Sequence, residues 1–461
     1  MITKRKNPFF DYNIDYWELA QNAYAGGAMY INKALIKHIA ETDVSFAERQ
    51  KRAYYFNYPR RIANLITQYA LSTEPKRENA PLDIIADFTK QKINVNEFMR
   101  QVSTKLNIYG VVWIMVSMPY FEGKLSLADK VSGKIRPFAE AIDPQNVTDW
   151  SIDENGDLIW AIVKTHKRYD SDPFKEAVTA ERYSLYTKDY IRVFECDGET
   201  PIAEYPNTLG IVPLFRIMEV DGYAMRSKHY FEDIMRISNA ILNNESEAQM
   251  NTIKQMFGVM VIPEDFANSA EKYKDEKSEK MSNIISRSTC IVESPETRGI
   301  TRFISPAGVE TTIIRKENQE LKKEMYDIVG MALNSMSHSM QTAESKSWDF
   351  HNVSQFLANR ADLLEQAENR IWEFFRLYDS SIPEVKAVYN RSFKVEDFDK
   401  QIKALLDISA LPSMPLSITK QVARSAVEVL EKITPISDDV KQNIFNDIEE
   451  IEEAPKINMN F

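Results

Sequence analysis

Between residues 331 and 348 the sequence reads MALNSMSHSMQTAESKSW, which carries three methionines, five serines and one histidine. Met336, His338 and Met340 offer two thioethers and an imidazole, a soft donor set that suits cuprous copper. The set is incomplete. Only five histidines occur in 461 residues, no second His or Cys is nearby, and methionine is more often a pliable apolar filler than a ligand. Cys196 and Cys290 belong to no paired spacing, which implies a reducing compartment and no structural zinc. Gly133-Lys134 is followed by Ile135, and Ala128 stands where a phosphate-binding loop needs glycine. No HExxH or G-x-S-x-G pattern occurs, and neither cysteine has an adjacent histidine in a nucleophile setting. Asp153, Glu154 and Asp157 surround Asn155-Gly156, where they read as turn residues before metal ligands. With 68 Asp plus Glu no carboxylate pair is singled out, so the expectation is a non-enzyme with no catalytic residue, metal or cofactor.

Composition bounds the remaining classes. Hydrophobic residues make up 44% and charged residues 27%, too apolar and aromatic for a disordered chain, and the length suggests two to four structural units. The start, MITKRKNPFFDYN, turns polar before an apolar signal core forms, and no run of about twenty apolar residues exists, so no membrane partner is expected. A formal charge of −11 disfavours a generic nucleic-acid binder, which needs a basic face.

Periodicity supplies the scaffold. Residues 47–73 place Tyr54, Tyr58, Ile62, Leu65, Ile66 and Tyr69 at helical steps, with Pro59 a kink or break, and a further helix at 96–110 is stopped by Gly110. The period then becomes strand-like at 111–119, in a hairpin about Asn155-Gly156, and at 181–187, 190–197 and 212–219, so residues 110–220 should form an antiparallel region with Trp150 and Trp160 in its core. A long helix from 225 to 258 aligns Phe231, Ile234, Ile237, Ile241 and Ala248; it would extend roughly 45 Å, long for a compact monomer. Residues 258–306 read as strand, charged helix, strand, strand. Helices follow at 307–331, with Ile314, Leu321, Met325 and Ile328, and at 348–379, with Leu364, Ile371, Trp372 and Phe375. A short strand near 386–393 then precedes a helical C-terminal portion. The class is α+β, mainly helical.

This order, together with the hairpin W-x-I-D-x-x-G-x-L-x-W-A, the turn NTLGIVPL at 207–214, RAYYFNYPRRIANLITQYALSTEP at 52–75 and GITRFISPAGVE at 299–310, resembles the portal proteins of tailed double-stranded DNA bacteriophages. The resemblance covers nearly the whole chain, and the order of parts carries most of it. It implies the portal fold: residues 1–224 a wing, 225–257 and 307–331 the stem helices, 258–306 the clip, 332–348 the tunnel loop, 349–399 the long wing helix and strand, and 400–461 the crown-side helices. It also implies a homo-oligomeric ring, usually a dodecamer, at one capsid vertex of the virion, assembled in the host bacterial cytoplasm. Double-stranded DNA would pass through the ring during packaging and ejection. Its implied partners are the terminase large subunit, the major capsid protein and head-completion or adaptor proteins. DNA-facing candidates are Asn334, Ser335, Met336, Ser337, His338, Ser339, Met340, Gln341 and Lys346 in the tunnel loop, and Arg315, Lys322 and Lys323 in the stem. Clip candidates for motor or adaptor contact are Glu264, Asp265, Lys272, Lys274, Lys277 and Lys280.

The resemblance gives the serine- and methionine-rich stretch a physical role. A loop on moving DNA should touch without holding: serine and glutamine exchange hydrogen bonds with phosphate or water, methionine adapts its shape, and few cations limit counterion release. Two rivals remain: another virion ring such as an adaptor or scaffold-like protein, which would not need the stem, clip, stem, loop order, and a metal-dependent nuclease.

Overall fold

Capping residues set the first helix boundaries. In the computed structural model, described over residues 2–119, 136–170, 174–195, 198–219, 230–256, 259–263, 290–293, 302–304, 308–329, 343–391, 393, 415–433 and 438–450, helix α1 (Pro8–Ala25) starts on the Asn7 side chain, which accepts a hydrogen bond from the Phe9 amide. Helices α2 (Gly27–Ala34), α3 (Asp43–Arg52) and α4 (Tyr58–Ala70) follow. The helical pattern expected over 47–73 is therefore two helices. Pro59 lies in the first turn of α4, where its missing N–H loses nothing, and Asn57 caps it by accepting from the Arg60 amide. After strand β1 (Lys76–Glu78) and the short α5 (Leu82–Ala86), α6 (Val95–Tyr109) ends on Gly110, whose φ of 71° is the left-handed conformation that closes a helix.

The chain then forms β2 (Val111–Ser117), β3 (Phe138–Ile142), β4 (Val147–Ile152), β5 (Leu158–Tyr169), β6 (Val178–Thr187), β7 (Tyr190–Phe194), β8 (Pro201–Pro206) and β9 (Leu214–Met218). These build two antiparallel sheets, a three-stranded one in the order β3-β2-β9 and a five-stranded meander from β4 to β8. The β4–β5 turn is organised by Asp153, whose carboxylate accepts from the Asn155 and Asp157 amides at 3.0 Å each, while Gly156 takes a φ of 87°. The continuous apolar run of β2 has a direct cause. Val111 and Trp113 face one core with α1, α4 and the next long helix, whereas Val112, Ile114 and Val116 face a second core with Phe88, Phe98, Trp372 and Phe375.

Helix α7 (Tyr230–Met256) leads into β10 (Val259–Pro263), β11 (Cys290–Glu293) and β12 (Arg302–Ile304), after which α8 (Val309–Ile328) and the 36-residue α9 (Ala343–Tyr378) precede β13 (Lys386–Val388). In the small sheet β10 is central, parallel to β11 and antiparallel to β12. The charged helix expected between β10 and β11 lies outside the described residues. Strand β13 pairs with β1, and both are fastened to α9 by a buried carboxylate. Glu368, with no exposed surface, receives the Arg77 guanidinium at 2.5 and 3.0 Å, the Trp372 indole N–H at 3.1 Å and the Tyr389 hydroxyl at 2.5 Å. Asn369 also bonds to both backbone groups of Ala387, acting as an edge partner for β13.

Trp150 is buried as expected, but Trp160 is half-buried. Trp150 pairs across the ladder with Ala161 on the face that meets the main core. Trp160 shares the opposite face with Ile162, where the cover is Ile2 and the Arg5 guanidinium, 4.8 Å from the ring centroid.

Contact density divides the chain into two units, residues 1–393 and 394–461. In the second, α10 (Leu416–Ile433) and α11 (Asp438–Glu449) are joined by Lys420, which donates to the Glu449 carbonyl at 2.6 Å, and by an ion pair between Arg424 and Glu449. Mixed helix and antiparallel sheet place the protein in the α+β class.

Candidate functional site

Helices α7 and α8 form an antiparallel pair whose two halves are held by different chemistry. Near the first half of α7, Phe231, Ile234, Met235, Ile241 and Leu242 are buried, and Met325 and Tyr326 of α8 join the same apolar core. Farther along, the contact becomes polar. Asn244 donates to Asn318 Oδ1 at 3.0 Å, Asn318 donates to Glu245 Oε1 at 2.9 Å, and Asn251 donates to Thr311 Oγ1 at 3.2 Å. Asn318 and Thr311 are buried, and Ala248 lies between the asparagines, its small side chain permitting close approach. The partners run upward in α7 as they run downward in α8, which fixes both direction and register.

The pair is braced from two sides. On one, Arg49 is almost fully buried and donates to Glu41 at 3.0 and 2.8 Å, to Ser246 Oγ at 2.8 Å and to the Ile36 carbonyl at 2.6 Å, with Glu247 3.2 Å away. Hydrogen bonds from that guanidinium hold the Glu41 carboxyl below its usual range. The segment between α2 and α3 is tied down further by Asn243, which accepts from the Ile36 amide and donates to the Ala34 carbonyl. On the other side, Tyr54 donates to Glu245 at 3.4 Å, and its phenol is pushed up by burial and by that carboxylate, with Arg315 opposing.

The three DNA-facing candidates of α8 sit in different surroundings. Lys322 is half-buried with its ammonium 5.6 Å from the Tyr58 ring centroid, and Arg315, one heptad earlier, is exposed but near enough to Tyr54 to oppose the rise of its phenol pKa. Lys323 is exposed to solvent. Glu317, Glu320 and Glu324 are exposed among them, so this helix surface alternates in sign. The tunnel-loop candidates from Asn334 to Gln341 lie outside the described residues, as do all the clip candidates, Glu264, Asp265, Lys272, Lys274, Lys277 and Lys280. Lys346, expected in the loop, falls in the first turn of α9: the helix begins at Ala343, and Ala343 and Glu344 suit a helix N-terminus by propensity and dipole.

The sequence reading missed the asparagine seam and Arg49. A signal existed: Asn239, Asn243, Asn244 and Asn251 crowd one helix although asparagine is a poor helix former, which points to inward polar pairing. Arg49 left no such signal because Glu41, Ser246 and Glu247 come from separate segments.

Among the described residues no group of three or more His, Cys, Asp or Glu side chains is placed to hold a metal ion, and no helix is long and apolar enough to cross a membrane. No protein-family model matches the chain, and no curated protein matches it in sequence. Among solved structures, the chain is similar to one from the neck of a native GTA particle with C12 symmetry, at a TM-score of 0.40 and 9% identity over 77% of this chain and 86% of that one. It is also similar to a chain from the neck of an empty GTA particle with C6 symmetry, at a TM-score of 0.39 and 8% identity over 84% of this chain and 89% of that one.

Proposed function

We propose that this protein is a phage-type portal, a ring subunit whose α7–α8 pair is the stem of a conduit for double-stranded DNA at one capsid vertex. The observation that carries the reading is the antiparallel helix pair itself: anchored in the core at one end, continued by a polar seam, and interrupted by the small β10–β12 sheet. A monomer gains little by extending such a pair. A ring gains a wall, because exposed Met256, Val309 and Ile313 on these helices can be covered by neighbouring copies around a closing rotation axis.

The charge pattern supports passage over retention. The net charge of −11 and the interleaved acids of α8 oppose a continuous cationic track, so phosphate contacts stay few and sliding is not slowed by counterion release. In this reading the ring is a dodecamer. The sheet region from β10 to β12 meets the packaging motor and later a head-completion protein, the segment between α8 and α9 touches DNA, and the capsid shell surrounds the first 224 residues. Catalysis has no part in it.

Electron microscopy of the purified full chain, with two-dimensional averaging, tests the proposal. Hollow rings with a narrower stem at one end are expected. Compact monomers or dimers at micromolar concentration, with both helices protected from hydrogen exchange, would overturn it, as would metal-dependent DNA cleavage lost on removal of a single carboxylate.

A further inference from the structure

A cavity of about 440 Å³ opens between the β4–β5 hairpin, strand β9 and helix α9, within the usual size range of ligand pockets. Its walls are mixed: Ile152, Leu158, Ile211 and Phe215 supply apolar surface, and Arg216, Arg370, Lys188 and Asp157 also line it. Arg216 stands opposite Trp113 in the β2–β9 ladder, and its guanidinium lies 5.3 Å from the Phe9 ring centroid, 5.6 Å from Trp150 and 5.9 Å from Trp113. Three rings hold the cation, but no carboxylate among the described residues pairs with it, and burial alone pulls its pKa below the usual arginine value. The other cations at the cavity, Arg370 and Lys188, already have acids: Glu373 at 2.6 Å and Asp153 at 3.7 Å. Asp157 of the hairpin also lines the cavity, but it is not among the influences on Arg216, so the guanidinium is a half-buried, oriented positive charge without an ion-pair partner among the described residues.

We propose that this cavity binds an acidic peptide segment of a partner protein, with one carboxylate taken by Arg216 and the adjoining apolar side chains seated on the surrounding walls. The guanidinium fork matches a planar carboxylate with two parallel N–H···O bonds. One free cation, with the Asp157 carboxylate elsewhere in the lining, balances a monoanion at most, whereas a phosphate dianion would require a second. The apolar part of the lining favours a carboxylate carried between hydrophobic side chains over a free inorganic ion. The three surrounding rings restrict the guanidinium before the ligand arrives, so less ordering entropy is lost on binding. This inference concerns the sheet region and stands independently of the portal reading.

The test is titration of the full-length protein with acetyl-isoleucyl-glutamyl-leucinamide, followed by calorimetry and by the fluorescence of Trp113 and Trp150, with the glutaminyl tripeptide and inorganic phosphate as parallel arms. The glutamyl peptide should bind at least tenfold more tightly than its glutaminyl counterpart. Arg216→Gln should lose at least tenfold in affinity, and Arg370→Gln, at an ion pair already satisfied, should change it by less than threefold. Equal binding of the two peptides overturns the proposal, as does unchanged affinity in a folded Arg216→Gln. Phosphate binding as tightly as the peptide would assign the cavity to free oxyanions and overturn the peptide claim. Should Arg216→Gln fail to fold, the comparison of the two peptides on the unmodified protein still decides.

Discussion

Two buried polar junctions hold distant parts of this chain together, and they are built on opposite principles. At Glu368 a full negative charge with no exposed surface is surrounded by Arg77, Trp372 and Tyr389, joining α9 to the β1–β13 pair. Between α7 and α8 the joining groups are mostly neutral amides and hydroxyls, each making one or two hydrogen bonds. Coulomb attraction in a dry site is strong and its loss is severe; a hydrogen bond between neutral amides is worth less, and its loss costs less. The first junction therefore fixes its elements absolutely, while the second specifies a register with partners that can be replaced.

Breaking the charged junction should have the largest effect. Arg77→Met leaves the Glu368 carboxylate buried without its counter-charge, and removal of one partner from such a pair costs about 3–5 kcal/mol. Tyr389 offers no relief, since burial and the adjacent Glu368 hold its phenol well above the usual range, keeping it a proton donor. Chemical denaturation should show the full loss, with Arg77→Met combined with Glu368→Leu recovering part of it. A loss below about 1 kcal/mol would show that water reaches the carboxylate and would erase the contrast.

The seam should respond more gently and more locally. Asn318→Ala removes an acceptor from Asn244 and a donor to Glu245, for an expected loss of about 1–3 kcal/mol. Hydrogen exchange should accelerate in residues 244–251 and 311–318 while the β4–β8 sheet stays protected. Equal acceleration in both regions would mean that the seam supports the whole fold, contrary to the distinction drawn above.

The same contrast explains what could be read from sequence. Apolar periodicity reveals a face, so Ile234, Met325, Leu364 and Trp372 were legible as core, and Asn155-Gly156 and Gly110 as a turn and a helix stop. Periodicity does not reveal which polar groups meet. Arg77 and Glu368 are 291 positions apart, and neither has a local pattern to mark it. Trp160 shows a related limit: alternation placed it in the core beside Trp150, but it lies on the opposite face, which is only thinly covered. Arg315 and Lys322 were legible as cations on a helix, yet their nearness to Tyr54 and Tyr58 depends on a segment some 260 residues earlier in the chain.

Acid should act on the Arg49 brace of α7 before it acts on the seam. The Glu41 pKa is lowered by Arg49 in the folded state, so its contribution is complete above the unfolded value near 4.5 and is lost as pH falls through that value toward the lower folded one. Neutral asparagines have no such dependence. Exchange at the residue 36–49 segment should therefore rise below about pH 4.5, and Glu41→Gln should flatten that part of the profile. An unchanged profile in the variant would remove Glu41 as its source.

The smallest effect separates two adjacent lysines. Lys322 lies over Tyr58, and Lys322→Gln should cost about 0.5–1 kcal/mol through the lost cation–π contact. Lys323 is exposed, and Lys323→Gln should stay within about 0.5 kcal/mol of the parent in chemical denaturation. In assembled rings the order should reverse if DNA passes along this face. Lys323→Gln would then reduce the slope of DNA affinity against salt by about one counterion, whereas Lys322→Gln, already occupied by the aromatic ring, would leave the slope nearly unchanged. A pair of slopes indistinguishable from the parent would remove Lys323 from the DNA path while leaving the stability comparison intact, because fold stability and phosphate contact report on different sides of the same helix.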